Sequence, residues 1–356
     1  MSFAAVCRLL RRECMAGLAR PCIGMSIRQA RIPGRSGHFT ESCILDPIPN
    51  SRPVRHDVDR EAMPPVAMVL ALFTFMCFAV LDTGAKYLVT AGYAAIFVVW
   101  CRFLSHAVIS FIAFQGWRRA DMYRMNNAPL QILRGLLLPT TTLFNFLALR
   151  DLQLAQTISI FLSVPMLVTA MAGPLLGEWA GPRRWAAIMV GFIGVLIVVR
   201  PGTDVFSVSI IWSILATITY SLYSILTRKL AMQESQSSLV FYSSIFATIL
   251  MAPPALIYGQ MPSSLFDWVL LASLGMLGLG GHALLVKASR LASASKVAPF
   301  VYSQLLWMTG LGFIVFGDVP DGWTVLGASI ICMSGIYIMN RERQIARNAR
   351  KLAAQS

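Results

Sequence analysis

Long apolar runs separated by short polar breaks dominate the chain from residue 65 onward. The runs lie near 65–88, 94–115, 129–149, 155–177, 184–200, 207–228, 238–258, 266–286, 296–316 and 322–340. A helix needs about 20 largely apolar residues to cross about 30 Å of hydrocarbon, and each run is close to that length. Breaks fall at Arg118–Arg119, Arg150–Asp151, Gly181-Pro182-Arg183-Arg184, Arg200-Pro201-Gly202, Gln233-Glu234-Ser235 and Asp321–Gly322. Most runs are apolar on nearly every face, so they do not read as amphipathic helices packed in water. In lipid each backbone N–H must be bonded within its own segment, which favours helices. The runs are too long for barrel strands and show no strict alternation. The pattern predicts an all-α polytopic membrane protein with ten transmembrane helices.

Composition agrees. Of 356 residues, 56% are hydrophobic and 13% charged, with mean hydropathy +0.66. Soluble domains carry about 25% charged residues, so a soluble enzyme is excluded; so is disorder over most of the chain. The seven cysteines form no CxxC pair and no metal-type spacing with histidine. No disulfide framework, metal or cofactor is expected. The net charge of +14 is unevenly placed. With the N-terminus inside, the inner segments hold nearly all of the Lys and Arg, while the outer loops hold only Lys86, Arg150 and Arg200. That asymmetry predicts cytoplasmic termini, and it explains the charge without nucleic acid.

Residues 1–62 are a different text: ten Arg, no Lys, several Pro and no span-length apolar run. Three readings stand: a disordered cytoplasmic tail, an Arg-rich presequence with Glu13 as its one acid in the first 40 residues, or a natural start at Met63. A transport role is not expected of this stretch.

The spans repeat. Arg150-Asp151-Leu152-Gln153-Leu154-Ala155 overlays Ser289-Arg290-Leu291-Ala292-Ser293-Ala294, Phe161 meets Phe300, and Gly173 meets Gly312. Gly177–Glu178 meets Gly317–Asp318, and Lys86-Tyr87-Leu88 meets Arg228-Lys229-Leu230. One offset of about 140 residues accounts for all of these matches. The layout predicted is a tail at 1–62, five spans in 63–202, five more in 203–340, and a basic cytoplasmic tail at 341–356. A unit with an odd number of spans enters and leaves on opposite faces, so two in series are inserted upside-down relative to each other. Such inverted repeats belong to secondary carriers, with a site near the midplane between them.

These residues also resemble a family. Asp82-Thr83-Gly84-Ala85-Lys86-Tyr87-Leu88, Leu133-Arg134-Gly135, Ala148-Leu149-Arg150, Pro165 and Leu176-Gly177-Glu178 carry the likeness in the first half. Lys287-Ala288-Ser289-Arg290-Leu291, Ala298-Pro299-Phe300 and Phe316-Gly317-Asp318 carry it in the second. From about Pro65 to Asn340 the chain is similar to the drug/metabolite transporter superfamily, as two EamA-type units. The resemblance implies a carrier of the bacterial inner membrane, and it implies that spans four and nine face a central cavity. Similar carriers move S-adenosylmethionine, riboflavin, or amino acids and their derivatives.

Ionisable groups inside spans are costly and need a reason, at least about 2.5–3.5 kcal/mol each. Asp82 and Lys86 are four apart on span one, and Arg102 and His106 four apart on span two, so each pair shares a helix face. Asp82 and Arg102 fall at similar depth, which predicts a contact between them with Lys86 above, near the interface. Such a pair either fixes helix register or walls an outer cavity. Further candidates are Asn145, Gln156 and Ser163 on spans three and four, Tyr220 and Tyr223 on span six, and Tyr302, Gln304 and Trp307 on span nine. Polar-tipped aromatics within a span need partners or a ligand. Pro165 and Pro299 free a backbone carbonyl in each repeat, so these spans are expected to line the path. His282 reads as a structural histidine or a proton shuttle. Glu178 and Asp318 read as helix-end residues.

No HExxH, GxSxG or Walker motif is present, so no intramembrane enzyme or ATPase is expected. Two interchangeable halves also argue against a static pore. The excess of basic groups near the spans and the Tyr/Trp set, with the family resemblance, point to uptake of a heterocyclic metabolite, riboflavin before S-adenosylmethionine. Export of amino-acid-like metabolites is the alternative. Protons, through Asp82, His106 and His282, and a homodimer are further candidate partners besides the metabolite and the bilayer.

Overall fold

The computed structural model describes residues 25–33, 39–47, 63–118, 120–177, 179–201, 207–230, 233–292 and 294–353. Its contacts divide the chain into two units, Met1–Ala62 and Met63–Ser356. In the first, strands β1 (Met25–Pro33) and β2 (Phe39–Pro47) pair antiparallel. In the register Arg31 stands opposite Glu41 and Ile27 opposite Leu45. The expectation of a disordered tail did not include this hairpin. Its apolar residues are too few to give a helical or strand period over a long window, so the pattern was not visible.

Among the described residues the second unit contains helices and no strand. Ten helices are long and apolar enough to cross a membrane: α1 (Pro65–Thr90), α2 (Ala95–Ala113), α3 (Ala128–Leu149), α4 (Leu154–Leu175), α5 (Pro182–Val199), α6 (Val208–Leu230), α7 (Gln236–Tyr258), α8 (Leu265–Leu291), α9 (Ala298–Phe316) and α10 (Gly322–Ala353). Local chemistry sets their ends. Proline opens α1 and α5 at their first turns, where its missing N–H is no loss. The Asn127, Ser235 and Ser264 side chains accept from Leu130, Ser238 and Asp267 backbone N–H and so cap α3, α7 and α8. After α4 and α9, Gly177 and Gly317 take left-handed φ of +75° and +70°. These glycines occupy the same place in the two repeats and stop both helices in the same way.

Helices α4 and α9 are irregular where proline predicted it. Two turn residues, Leu162 and Ser163, split α4 into the stretches Leu154–Phe161 and Val164–Leu176, just before Pro165. Through Pro299, α9 begins as a 3₁₀ turn (Ala298–Tyr302), continues as α-helix (Ser303–Leu311) and ends as a π-type turn (Gly312–Phe316). Helix α10 carries on past its apolar part through the basic stretch to Ala353.

The packing has a twofold. Helix α8 lies on α1 as α3 lies on α6, α2 meets α8 as α7 meets α3, and α9 meets α1 as α4 meets α6. Three pairs, α2–α7, α4–α9 and α5–α10, map onto themselves. Each repeat therefore packs chiefly through the other. Between α5 and α10 the symmetry reaches single residues. A Cβ on Gly194 would lie 2.9 Å from the Gly327 carbonyl oxygen, and at the equivalent pair the Ser334 hydroxyl donates to the Ala187 carbonyl. Glycine also brings α8 close. A Cβ on Gly275 would stand 2.7 Å from the Arg102 carbonyl oxygen, and one on Gly281 2.6 Å from the Phe78 ring. Small residues at such crossings let helix backbones approach where lipid gives no hydrophobic drive.

Candidate functional site

The two ends of the bundle are tied by different groups. At one end the buried Lys86 ammonium donates to Asp318 Oδ2 at 2.7 Å and to the Leu152 carbonyl at 3.0 Å, joining α1 to the ends of α9 and α4. The sequence reading put Lys86 near the interface, above an Asp82–Arg102 contact. The structure instead buries it, because two acceptors from other helices reach it. Arg200 pairs with Asp321, Ser209 donates to Asp151, and Tyr93 donates to Asp267 at 2.9 Å at the same end. At the other end Asn126 and Asn127 backbone N–H groups donate to Glu234 Oε1 at 2.7 and 3.0 Å, and the Ser238 hydroxyl donates to the Arg124 carbonyl. Nearby, Arg134 on α3 spends four bonds on α6 and α7: Nε to Thr227, Nη1 to Ser243 and to the Leu239 carbonyl, Nη2 to the Tyr223 hydroxyl.

Between these ends lies a buried polar cluster from α1, α2, α3, α6 and α8. Asp82 accepts from Asn145 Nδ2 at 3.1 Å, and Arg102 Nη1 donates to Thr142 Oγ1 at 2.8 Å. Asp82 and Arg102 feel each other's charge, but among the described residues no hydrogen bond or ion pair joins them. Their expected direct contact is replaced by these two α3 partners. One turn on, His106 is 7% exposed, and neither of its ring nitrogens has a hydrogen-bond partner among the described residues. Arg102 Nε is in the same position. Each buried donor or acceptor left so costs about 1–3 kcal/mol. His282 on α8 interacts electrostatically with His106 and with Arg134, and its ring meets Phe78 at 5.1 Å. The Arg102 guanidinium stands over the Phe103 and Phe146 rings, and that of Arg134 over Tyr223 at 4.7 Å. Tyr223 and Tyr220 lie 5.7 Å apart, with Tyr220 4.9 Å from Phe161 of α4.

Of the sequence candidates, Asp82, Arg102, His106, Asn145 and Tyr223 thus converge, with Tyr220 alongside. The rest do not. Gln156 Oε1 accepts from the Gln153 backbone N–H at the start of α4, a capping contact, and the Ser163 hydroxyl donates to the Ile160 carbonyl at the α4 break. Tyr302 packs its hydroxyl onto Gly335 of α10. Gln304 is buried against Met308 on its own helix, and Trp307 is 37% exposed. Glu178 lies outside the described residues. Arg134, Thr142 and Gly278 were not singled out as site residues, and His282 was read as a structural histidine or a proton shuttle. A basic group inside a span was the available signal for Arg134; the small residues carried none.

Comparison with known proteins gives the chain its setting. The model of the EamA-like transporter family matches twice, over residues 65–200 and 207–341. An S-adenosylmethionine uptake transporter of Rickettsia prowazekii is 29% identical over 77% of this chain and 92% of its own length. A riboflavin transporter of Vibrio cholerae is 33% identical over 56% of this chain and 66% of its own. A pseudopaline exporter of Pseudomonas aeruginosa is 24% identical over 77% of this chain and 95% of its own. One solved crystal structure shares the fold with a TM-score of 0.55 and 16% identity, over 78% of this chain and 99% of that one. With ten apolar helices in two inverted halves, matched twice over by that model, the chain is an integral multi-pass membrane protein and belongs to the EamA-like transporter family.

Proposed function

We propose that the protein is a secondary uptake carrier of the bacterial inner membrane, with cytoplasmic termini, that moves a small heterocyclic metabolite by alternating access. The observation that carries this reading is the buried cluster of Asp82, Arg102, His106, Asn145 and Tyr223, set between two separately tied ends and formed by both repeats. A group of polar atoms left without partners inside a hydrocarbon-spanning bundle is reasonable where a polar ligand supplies the missing bonds. Tyr220 and Tyr223 beside it offer ring faces for a planar heterocycle. Relatives named for uptake of S-adenosylmethionine and of riboflavin support the class of cargo.

Export is the second reading, favoured by the pseudopaline exporter's match over nearly its whole length. Proton coupling is a further part of the proposal, resting on Asp82, His106 and His282 within the spans. Labelled riboflavin and S-adenosylmethionine, supplied to auxotrophic cells expressing the chain, test the reading. Uptake of at least one that Arg102→Ala abolishes supports it. Accumulation of neither, with faster loss of label from preloaded cells, supports export instead. Collapse of the pH gradient without change in uptake removes the proton.

A further inference from the structure

We propose that Asp82, Arg102 and His106 seat an α-amino-acid head group, the ammonium at Asp82 and the carboxylate between Arg102 and His106. This rests on the carrier reading and names the part of the cargo the buried cluster recognises.

Two arginines enter the core, and their bonding differs. Arg134 has four hydrogen bonds to α6 and α7 and is spoken for by the protein. Arg102 makes one side-chain bond, to Thr142, and its buried Nε has no partner among the described residues. A guanidinium has five N–H donors in a fork that matches a carboxylate, so most of its donor capacity is open. His106, one turn along the same face, adds two unpartnered nitrogens at 7% exposure. Gly278 lies opposite both. A Cβ there would stand 3.7 Å from Arg102 Nη2 and 3.7 Å from His106 Nδ1, so a ligand atom in front of Gly278 would touch the two nitrogens together. On the other side Asp82 receives one bond, from Asn145 to Oδ1, while an ionised carboxylate has room for about four.

The charges choose the ligand. A plain anion at Arg102 would meet the Asp82 carboxylate, and a plain cation at Asp82 would meet Arg102. A zwitterion satisfies both without adding net charge to the interior. Two other features do not offer this chemistry. Lys86 and Asp318 bond each other, and the cavity of about 240 Å³ between α4, α9 and α10 is lined by groups such as Ala155, Leu305, Leu306 and Val325, with no charged side chain.

The test uses purified full-length protein in detergent, read by thermal stabilisation with S-adenosylmethionine, S-adenosylhomocysteine, 5′-methylthioadenosine and riboflavin. Methylthioadenosine keeps the heterocycle and lacks the amino-acid head. The two head-bearing compounds are expected to bind at least tenfold tighter than methylthioadenosine, about the worth of one or two buried bonds. Asp82→Asn and Arg102→Gln are expected to remove that difference and leave methylthioadenosine binding unchanged. Gly278→Ala adds a methyl at ordinary contact distance from Leu81, 3.5 Å, so the fold tolerates it while the seat narrows. It is expected to weaken the head-bearing compounds selectively. Equal binding of compounds with and without the head group, or tighter binding of riboflavin alone, overturns the proposal. The carrier reading is judged separately, by uptake into cells, and survives that outcome if riboflavin is carried.

Discussion

Arg102 and Arg134 are the same side chain in opposite circumstances, and substitution should separate them. Arg134 ties α3 to α6 and α7, so Arg134→Gln leaves Tyr223, Thr227, Ser243 and the Leu239 carbonyl short of a partner. Each buried acceptor left without its partner costs about 1–3 kcal/mol. A clear fall in melting temperature in detergent is the expected result; an unchanged melting curve would show the network to be energetically idle. Arg102→Gln removes a single side-chain bond, so the melting temperature should stay near that of the unmodified chain while uptake is lost. Trp307→Ala should transport normally, since that ring is 37% exposed and among the described residues meets none of the cluster; loss of uptake would place span nine back at the site. This part of the site was legible from spacing only up to a point. The i, i+4 rule put Asp82 with Lys86 and Arg102 with His106 on common faces, and each of the four is buried or half-buried. Spacing says which residues share a face and not which neighbour that face meets. Hence Lys86 went to Asp318, and Asp82 to Asn145 in place of Arg102. Thr142 and Gly278 had no signal, because a small residue in a span looks like packing whether or not it borders a ligand.

At the scale of helices, the prolines and glycines could be read from the text. Pro165 and Pro299 interrupt α4 and α9, and Gly177 and Gly317 end them with left-handed turns, as a repeat at one offset implies. Which helices touch was not legible. Apolar surfaces on all sides carry no direction, so the pairing of α1 with α8 and of α3 with α6 came only with the structure. The close α5–α10 crossing makes a sharp prediction. A Cβ on Gly327 would lie 2.7 Å from the Gly194 carbonyl oxygen and 2.6 Å from Val198 Cγ2, so Gly327→Val should sharply reduce the yield of folded protein. Normal yield and normal melting would show that α5 and α10 can slide apart freely. The start of α10 also responds to pH. Burial alone would raise the Asp321 carboxyl, but the Thr324 bonds and Arg200 outweigh it and hold its pKa below the usual value. A carboxyl so depressed contributes stability above its unfolded pKa and loses it as pH falls through the folded one. Asp321→Asn should therefore lower stability slightly at neutral pH and leave it unchanged in acid, flattening the acid side of the melting profile; the effect is small because the pair is partly exposed. An acid limb of unchanged slope would mean that other carboxylates set it.

At the scale of the molecule, the proposed alternating access has the two tied ends open in turn. At the Asn126 end Arg124 meets Ser238 and Asn126 meets Glu234 across the repeats. Lys86, Asp318, Arg200 and Asp321 belong to the other. If opening one end needs the other shut, a covalent tie at either should stop transport, whereas a tie across the α5–α10 contact, which straddles the twofold, should not. Paired cysteines at Asn126 and Glu234 replace a hydrogen-bonded contact at one end, and paired cysteines at Lys86 and Asp318 replace the ion pair at the other. Paired cysteines at Ala187 and Ser334 sit on the α5–α10 contact. Oxidation is expected to abolish uptake in both end pairs, with reduction restoring it for the Asn126 pair. The Ala187/Ser334 pair should carry substrate in both redox states. Continued uptake with the Asn126–Glu234 tie fully closed would mean that this end never opens, and two interchangeable halves could then not be the working principle of the carrier. The Lys86 pair tests the same point with a twist, since it also removes a buried charge pair. Its reduced form should therefore show the Asp318 end more accessible to thiol reagents than the unmodified chain does, because the bond that holds α1 to α9 is gone.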